Sequence, residues 1–553
     1  MGKVHGGHVV AEYLRRVEGV DILFALSGGH IAPIFDGCLD HGVRLVDVRH
    51  EQAAVMMAHA WSVYAGKPGV CAVTAGPGFT NSLTGVVNAY LEGAPVVVLA
   101  GMVSLRDLDR GALQDMDQQS MVKPAVKWAA RCHDMRRIPE YLEAAFRRAV
   151  SGRPGPVFLE LAPECLFAGV EESEISYPSE GCRKFRALPR EEDLRAAADL
   201  LNRAERPILL GGSGIAHSAC AAELGALVEK AGIPHLLLNY GRGAVPDHHP
   251  LSLWSGGVMG LLAAASMADV ALVVGLRLNW VTNYGRILEN ARVIRVDVEP
   301  SELDRNRRAD VALPGDAGAV LGRLLELVEE RDRSAWVESL RSATSSLAES
   351  ERQAAETPAD PIHPLRLMRC IREATGDEAI YIVDGGDSSY FGLVGLRAGE
   401  TAGVIGNGNH FGCLGIGVPF AIGAKLARPE RRVVLVSGDG SFGLNAMEMD
   451  TACRHGVPVT AVICNDQAWG MAKHHQEICY AEDRVCGTEL GVVRYERMVE
   501  ALGGHGEFVE READILPALR RALDSGKPAC VNVLTDPTVV SPATVMFAES
   551  YRF

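Results

Sequence analysis

The chain has 553 residues, more than a single hydrophobic core ordinarily supports, so several domains are expected. Its 48% hydrophobic and 23% charged residues, with 59 glycines, exclude a disordered or fibrous chain and describe a turn-rich globular protein. A formal net charge of -15 excludes a general attraction to nucleic acid or to an anionic membrane, while leaving room for a local basic pocket around a phosphorylated ligand.

The opening stretch "MGKVHGGHVVAEYLRRVEGVDILFAL" carries no signal-peptide cleavage pattern, and no apolar run is long enough to span a bilayer, so a cytoplasmic protein is expected. The thirteen cysteines are scattered, without a C-x-x-C pair or a Cys/His cluster at zinc-ligand spacing, and read as small apolar core residues in a reducing compartment. Apolar runs such as "GVCAVTAG" and "APVVVLAG" then alternate with helical stretches such as "IPEYLEAAFRRAV", which predicts a parallel sheet covered by helices over residues 1–170. Within it, Glu51 stands alone at the head of an Ala-rich apolar helix, ahead of a Gly76-Pro77-Gly78 turn. Taken alone, that acid reads as an ordinary partner of the helix dipole.

A polar stretch, "GVEESEISYPSEGCRKFRALPREED", reads as a linker to a second α/β domain over 190–345, with strands in "RPILLGGSGIA", "ALVVGLRLNW" and "ARVIRVDVEP". The loop in "LLGGSGIA" superficially resembles a dinucleotide loop but lacks the full G-x-G-x-x-G order, so a nucleotide-binding oxidoreductase is an alternative class. A second linker, "SSLAESERQAAETPADPIHP", leads to a third α/β domain over 363–553, whose strands "AIYIVDGGDSS", "RRVVLVSGDGS" and "VPVTAVICND" end in polar and glycine residues. Ligands of open parallel sheets bind at those ends. The first and third domains share length and rhythm, which suggests duplicated architecture; the tail after Asp536 has no clear pattern.

Two adjacent strand ends of the third domain present oxygen ligands together: Gly438-Asp439-Gly440-Ser441 and Asn465-Asp466. A hard cation such as Mg²⁺ takes one or two carboxylates plus phosphate oxygens, a role that Asp439, Asp466 and a backbone carbonyl just beyond, at Ala468, would fill. The flanking glycines let backbone N–H groups approach a phosphate at a helix start. Either dipeptide alone is an ordinary turn; their joint spacing on consecutive strands points to a magnesium-bridged diphosphate.

These motifs resemble the thiamine-diphosphate-dependent decarboxylase, synthase and lyase superfamily, whose cofactor motif runs from Gly-Asp-Gly to an Asn-rich pair one βαβ step later. Asp466 stands where the second asparagine is usual and adds negative charge beside the diphosphate. His50-Glu51 and Gly76-Pro77-Gly78 match the superfamily's N-terminal "HE" and "GPG" features. The resemblance implies that Glu51 activates the cofactor by hydrogen bonding to its aminopyrimidine ring. It implies also that "GNGNHFGCLGIGVPFAIGA" bends the cofactor, with Leu414 as the wedge and the Gly412 carbonyl as acceptor for the 4'-amino group. Ser388, Ser389, Gly438, Gly440, Ser441, Trp469, Gly470 and Met471 are the further cofactor-binding candidates, with Gly76 on the pyrimidine side. His30 and Gln114 are expected beside the reaction centre, with packing or surface roles equally open, and Phe79 as an apolar wall. Lys473, His474 and His475 are read as proton donors, as binders of an anionic substrate, or as a solvated helix start.

The resemblance implies three α/β doubly wound parallel-sheet domains and a homodimer or homotetramer with active sites at subunit interfaces. "LSGGHIAPIFDG", "RGALQDMDQQSMVKPAVKWAARC" and "GLRLNWVTNYGR" look most like 2-hydroxyacyl-CoA lyases and the related oxalyl-CoA decarboxylases, including their acetolactate-synthase-like members. The expected reaction is cleavage of a 2-hydroxyacyl-CoA to formyl-CoA plus a ketone or aldehyde, or the reverse condensation. Condensation of 2-oxo acids and oxalyl-CoA decarboxylation are the alternatives. The Arg-Phe-Asp-Asp-Arg stretch of FAD-binding acetolactate synthases is absent, so FAD is not expected. Gly29 aligns with the acid of simple pyruvate decarboxylases, which favours a carboligase or lyase. The presence of both Glu51 and Asp439 argues against a silent regulatory subunit.

Overall fold

The computed structural model describes residues 2–254, 264–376, 378–407, 410–480 and 482–550. Eight strands belong to the first domain: β1 (Lys3–His5), β2 (Ile22–Ala25), β3 (Arg44–Asp47), β4 (Gly69–Val73), β5 (Val96–Gly101), β6 (Trp128–Cys132), β7 (Val157–Leu161) and β8 (Gly169–Glu171). Six of them form a parallel sheet in the order β3-β2-β4-β5-β7-β6. The middle domain contributes β9 (Pro207–Gly211), β10 (His235–Leu237), β11 (Val270–Val274), β12 (Arg292–Asp297) and β13 (Val311–Pro314) in the parallel order β10-β9-β11-β12-β13. The third contributes β14 (Ile380–Asp384), β15 (Val404–Gly406), β16 (Val433–Gly438), β17 (Thr460–Asn465), β18 (His505–Val509) and β19 (Ala529–Leu534), ordered β15-β14-β16-β17-β19-β18. These are three parallel-sheet α/β domains. Strands buried on both faces by crossover helices explain the unbroken apolar runs in the sequence.

The first and third sheets have one topology: after the first strand of each, the chain steps outward to one edge and then returns to the other side of it. That reversal is a topological switch point, and ligands of such sheets bind in the crevice beyond the strand ends there. It lies between β2 and β4 in one sheet and between β14 and β16 in the other. The helices that matter for the sites are α1 (Glu51–Ala65), α2 (Pro77–Glu92), α3 (Asp387–Gly395), α4 (Gly417–Ala427), α5 (Asp439–Asn445), α6 (Glu448–His455), α7 (Gly470–Cys479) and α8 (Pro542–Ser550).

The chain folds as two compact units. One comprises Met1–Phe185 with Val418–Arg428 and Asn445–Val457, and the other comprises the remainder. In the first unit α1 is buried almost all round, which its Ala-rich, one-sided-by-no-means pattern requires. Part of its cover comes from α4: a Cβ on Gly423 would stand 2.5 Å from the Met57 carbonyl oxygen, and Phe420 packs edge-on to His59 at 4.8 Å.

Two stretches read as linkers carry regular structure. Gly169–Glu171 pairs antiparallel with Lys3–His5, tying the first linker back to the N-terminus. The second linker begins inside a helix, Ser334–Glu356, whose polar second half is supported by Arg352 bonded to Glu349 and Glu356. The tail after Asp536 ends in α8, which packs on α7. Among the described residues no helix is long and apolar enough to cross a membrane.

Candidate functional site

In the first unit, the ends of β2 and β4 bring His30, Thr74 and the Gly76-Pro77-Gly78 turn together. Glu51 occupies the first position of α1 and is 5% exposed. Its Oε2 accepts a hydrogen bond from Asn81 Nδ2 at 3.0 Å, and a Cβ on Gly78 would lie 3.4 Å from its Oε1. The turn therefore packs directly on the carboxylate. Gly76 has φ +60° and a Cβ there would meet the Gln114 side chain at 2.8 Å, so only glycine admits both the turn and the glutamine. His30 Nδ1 lies 3.1 Å from Thr74 Oγ1, and burial lowers its pKa, which favours a neutral ring at neutral pH. Glu51, Gly76, Gln114 and His30 thus form one neighbourhood. Phe79 is fully buried and packs on Phe158 at 5.3 Å.

A chain of buried polar groups stiffens this turn. The Gly76 amide donates to Gln118 Oε1 at 3.1 Å, while Gln118 Nε2 donates to the Gly101 carbonyl and to Glu160 Oε1, each at 3.0 Å. Glu160, in the middle of β7, is balanced by Arg131 at 2.9 Å. Sequence reading missed Asn81, Gln118 and Glu160; the available signal was a lone acid inside the strand "VFLEL".

In the second unit, a cavity of about 1170 Å³ reaches from the ends of β14 and β16 to the middle domain and α8. Asp439 opens α5, is 1% exposed, and neither carboxylate oxygen has a hydrogen-bond partner. Burial first, and then the neighbouring Asp466, raises its pKa; burial also raises that of Asp466. A buried carboxylate beside a second, partly buried one is costly without a positive partner. A divalent cation would supply one.

Around them the backbone leaves room only for glycine. A Cβ on Gly385 would meet Ser388 Oγ at 2.2 Å, one on Gly438 the same oxygen at 3.0 Å, one on Gly440 the Trp469 ring at 2.7 Å, and one on Gly470 Asp466 Oδ2 at 2.1 Å. Gly386 is held equally close to Met471. Ser389 Oγ is buried without a partner, and Ser441 lines the same space. The Ala468 amide donates to Asp466 Oδ1 at 3.2 Å, which bends the backbone there around the acid. The unpartnered Asp439 carboxylate beside Asp466, with the close glycine cradle, fits a magnesium-bridged diphosphate. Gly412, at φ +66°, and Leu414 line the cavity as well.

The Leu414 loop is held by a residue that sequence reading passed over. Asp384, at the end of β14, accepts the Gly415 amide at 3.3 Å and the Gly417 amide at 2.9 Å, and burial pushes its pKa up to about 7.

Of the three polar residues at the start of α7, His474 is 2% exposed rather than solvated. Its Nδ1 meets Asp387 Oδ2 at 2.8 Å and its Nε2 the Pro537 carbonyl at 3.0 Å; although burial opposes the charge, these acceptors raise its pKa. Asp387 also accepts from the Ser541 amide and Thr544 hydroxyl, so the pair anchors the C-terminal segment. His475 lines the cavity.

In the middle domain, Arg277 contacts His410 at 3.1 Å, Asn279 caps the turn that follows, and Trp280 lines the cavity. The glycines of "LLGGSGIA" serve packing: a Cβ on Gly214 would lie 2.7 Å from Gly275 Cα. His5, His8 and Asp36 lie close enough together to suggest a metal centre. However, His5 Nδ1 accepts the Gly7 amide, so in the neutral ring Nε2 carries the proton and donates to Asp36 at 2.8 Å. That geometry describes a hydrogen-bonded pair.

Residues 4–121 match the N-terminal TPP binding domain of thiamine pyrophosphate enzymes, residues 194–324 their central domain, and residues 384–533 their C-terminal TPP binding domain. The chain belongs to the thiamine pyrophosphate enzyme family and is a thiamine-pyrophosphate-dependent enzyme. It is 36% identical over 544 residues to a probable acetolactate synthase of Mycobacterium bovis, covering 98% of this chain and 97% of the relative. It is 33% identical over 579 residues to human 2-hydroxyacyl-CoA lyase 2, covering 96% and 90%. With the 2-hydroxyacyl-CoA lyase of Arabidopsis thaliana it shares 31% over 558 residues, covering 97% and 96%.

Proposed function

We propose that this protein is a thiamine-diphosphate- and Mg²⁺-dependent carbon-carbon lyase or carboligase acting on a 2-hydroxyacyl-CoA, releasing formyl-CoA and a ketone or aldehyde, or running the reverse condensation. The observation that carries this reading is the cavity: besides Asp439 it is lined by Trp254, Trp280, Tyr284, Phe411, Met546 and Phe547, an apolar lining suited to an acyl chain.

When bound, thiamine diphosphate supplies a thiazolium carbon that acts, once deprotonated, as nucleophile and electron sink. Asp439, Asp466 and the Ala468 carbonyl would hold Mg²⁺, while the Gly438–Ser441 backbone, Ser388 and Ser389 would bind the diphosphate. Trp469, Gly470 and Met471 would close the cradle, Leu414 would pack against the cofactor rings, and the Gly412 carbonyl would accept from its amino group. Glu51, steadied by Asn81, would hold the proton at the aminopyrimidine ring nitrogen. His30 and Gln114 would face the reacting carbonyl. Glu51 of one copy and Asp439 of another would then complete each site, making the active species a homodimer or homotetramer.

Purified protein with Mg²⁺ and cofactor should cleave a 2-hydroxyacyl-CoA with formyl-CoA as product. Turnover of pyruvate alone would overturn this in favour of acetolactate synthesis, the second reading, which the 36% identity to a probable acetolactate synthase supports. Turnover of oxalyl-CoA alone would make it a decarboxylase.

A further inference from the structure

An acid that must meet one ring nitrogen needs its main chain fixed as well as its side chain. The first amides of a helix have no acceptors within the helix, so something else must take them. At α1 the Gln52 amide is taken by the His50 ring at 3.3 Å. The two amides just before Glu51 are taken by a residue from a distant part of the chain. Glu448, the first residue of α6, accepts Arg49 N at 3.0 Å and His50 N at 3.1 Å on one oxygen, while its other oxygen accepts the Thr451 hydroxyl at 2.7 Å.

Glu448 is 1% exposed, and burial pushes its pKa up to about 7. The surrounding contacts run the same way. Gln52 Nε2 donates to Asn445 Oδ1 at 2.9 Å, and Asp47 is gripped by Arg454 at 2.5 Å and His455 at 2.9 Å. These flanking pairs are half-exposed or neutral; the Glu448 contact is buried, and it adjoins Glu51 directly.

We propose that Glu448 is a positioning residue for cofactor activation: by holding the main-chain amides of Arg49 and His50 it fixes the first turn of α1 and so aims the Glu51 carboxylate. This rests on the reading of Glu51 given above.

The test compares full-length Glu448→Ala, Glu448→Gln and Glu51→Gln in two measurements. One is amide hydrogen exchange over residues 47–56 without ligand, and the other is deuterium exchange at C2 of thiamine diphosphate bound with Mg²⁺. Glu448→Ala should speed the amide exchange and slow C2 exchange by about 10- to 100-fold, the loss expected from a misplacement near 1 Å. Glu448→Gln, whose amide oxygen still accepts both N–H groups, should restore most of both. Should Glu448→Ala prove unable to fold, Thr451→Val, which frees the second oxygen, should shift both readouts the same way by about 2- to 5-fold. The proposal is overturned if C2 exchange in Glu448→Ala or Thr451→Val matches the parent while Glu51→Gln has lost it, or if Glu448→Gln falls as far as Glu448→Ala. Parent-like C2 exchange in Glu51→Gln overturns the reading of Glu51 itself, and the positioning role with it.

Discussion

Glu51 and Asp439 are both buried acids, yet they stand in opposite circumstances. Glu51 has a neutral donor, Asn81, on one oxygen and a glycine turn against the other. Asp439 has no partner on either oxygen and a second acid beside it. The first arrangement suits an acid that shares a proton, and the second suits an acid that waits for a cation. Glu51→Gln should therefore lower kcat by on the order of 100- to 10000-fold with little change in thermal melting, the range expected for removing an acid-base group. Asp439→Asn should weaken Mg²⁺ binding, measured by calorimetry with cofactor present, by about 10-fold or more, since a carboxylate ligand is lost. Asp384 gives a pH signature. Its pKa is raised in the folded chain to about 7, so its contribution to stability is full in acid and is lost as pH rises from about 4 to 7. Denaturant unfolding at both ends of that window should show the parent weakening against Asp384→Asn by on the order of 3–4 kcal/mol.

Helix α1 is largely apolar because it is covered almost all round, and Gly423 of α4 is one of the places where the cover has no slack. Gly423→Val should destabilise the protein by about 1–3 kcal/mol, read as a lower denaturation midpoint, because the added methyls meet the Met57 carbonyl. The same scale shows what the sequence makes legible. The Gly438–Ser441 and Asn465-Asp466 turns could be read because each motif is contiguous and sits where an apolar strand stops. The parallel sheets could be read because buried strands are apolar without alternation. Asn81, Gln118, Asp384 and Glu448 could not, because each acts on a group that folding brings to it from elsewhere: the Glu51 carboxylate for Asn81, and backbone amides for the other three. The helix Ser334–Glu356 was hidden for another reason: its second half is polar all round and is held by pairs three and four residues apart, so no apolar stripe marks it.

At the scale of the molecule, the first and third sheets repeat one strand order, and in each the candidate residues gather at the switch point. The repeat explains how two candidate sites of different chemistry arise from one plan: a turn and an acid beside an apolar helix in one, two acids and a close glycine cradle in the other. If each copy contributes one of these sites to a shared centre, the protein should sediment as a dimer or larger, and dilution below the dissociation constant of the assembly should abolish turnover while leaving the fold.

The first unit is completed by Val418–Arg428 and Asn445–Val457, far downstream of the residues they cover. A ribosome working at about 5–20 residues per second would expose the nascent N-terminal portion for on the order of tens of seconds before those segments emerge. Throughout that interval the back of α1 is a sticky apolar surface awaiting its cover, and a fragment ending at Phe185 should aggregate or lean on chaperones where the intact polypeptide does not.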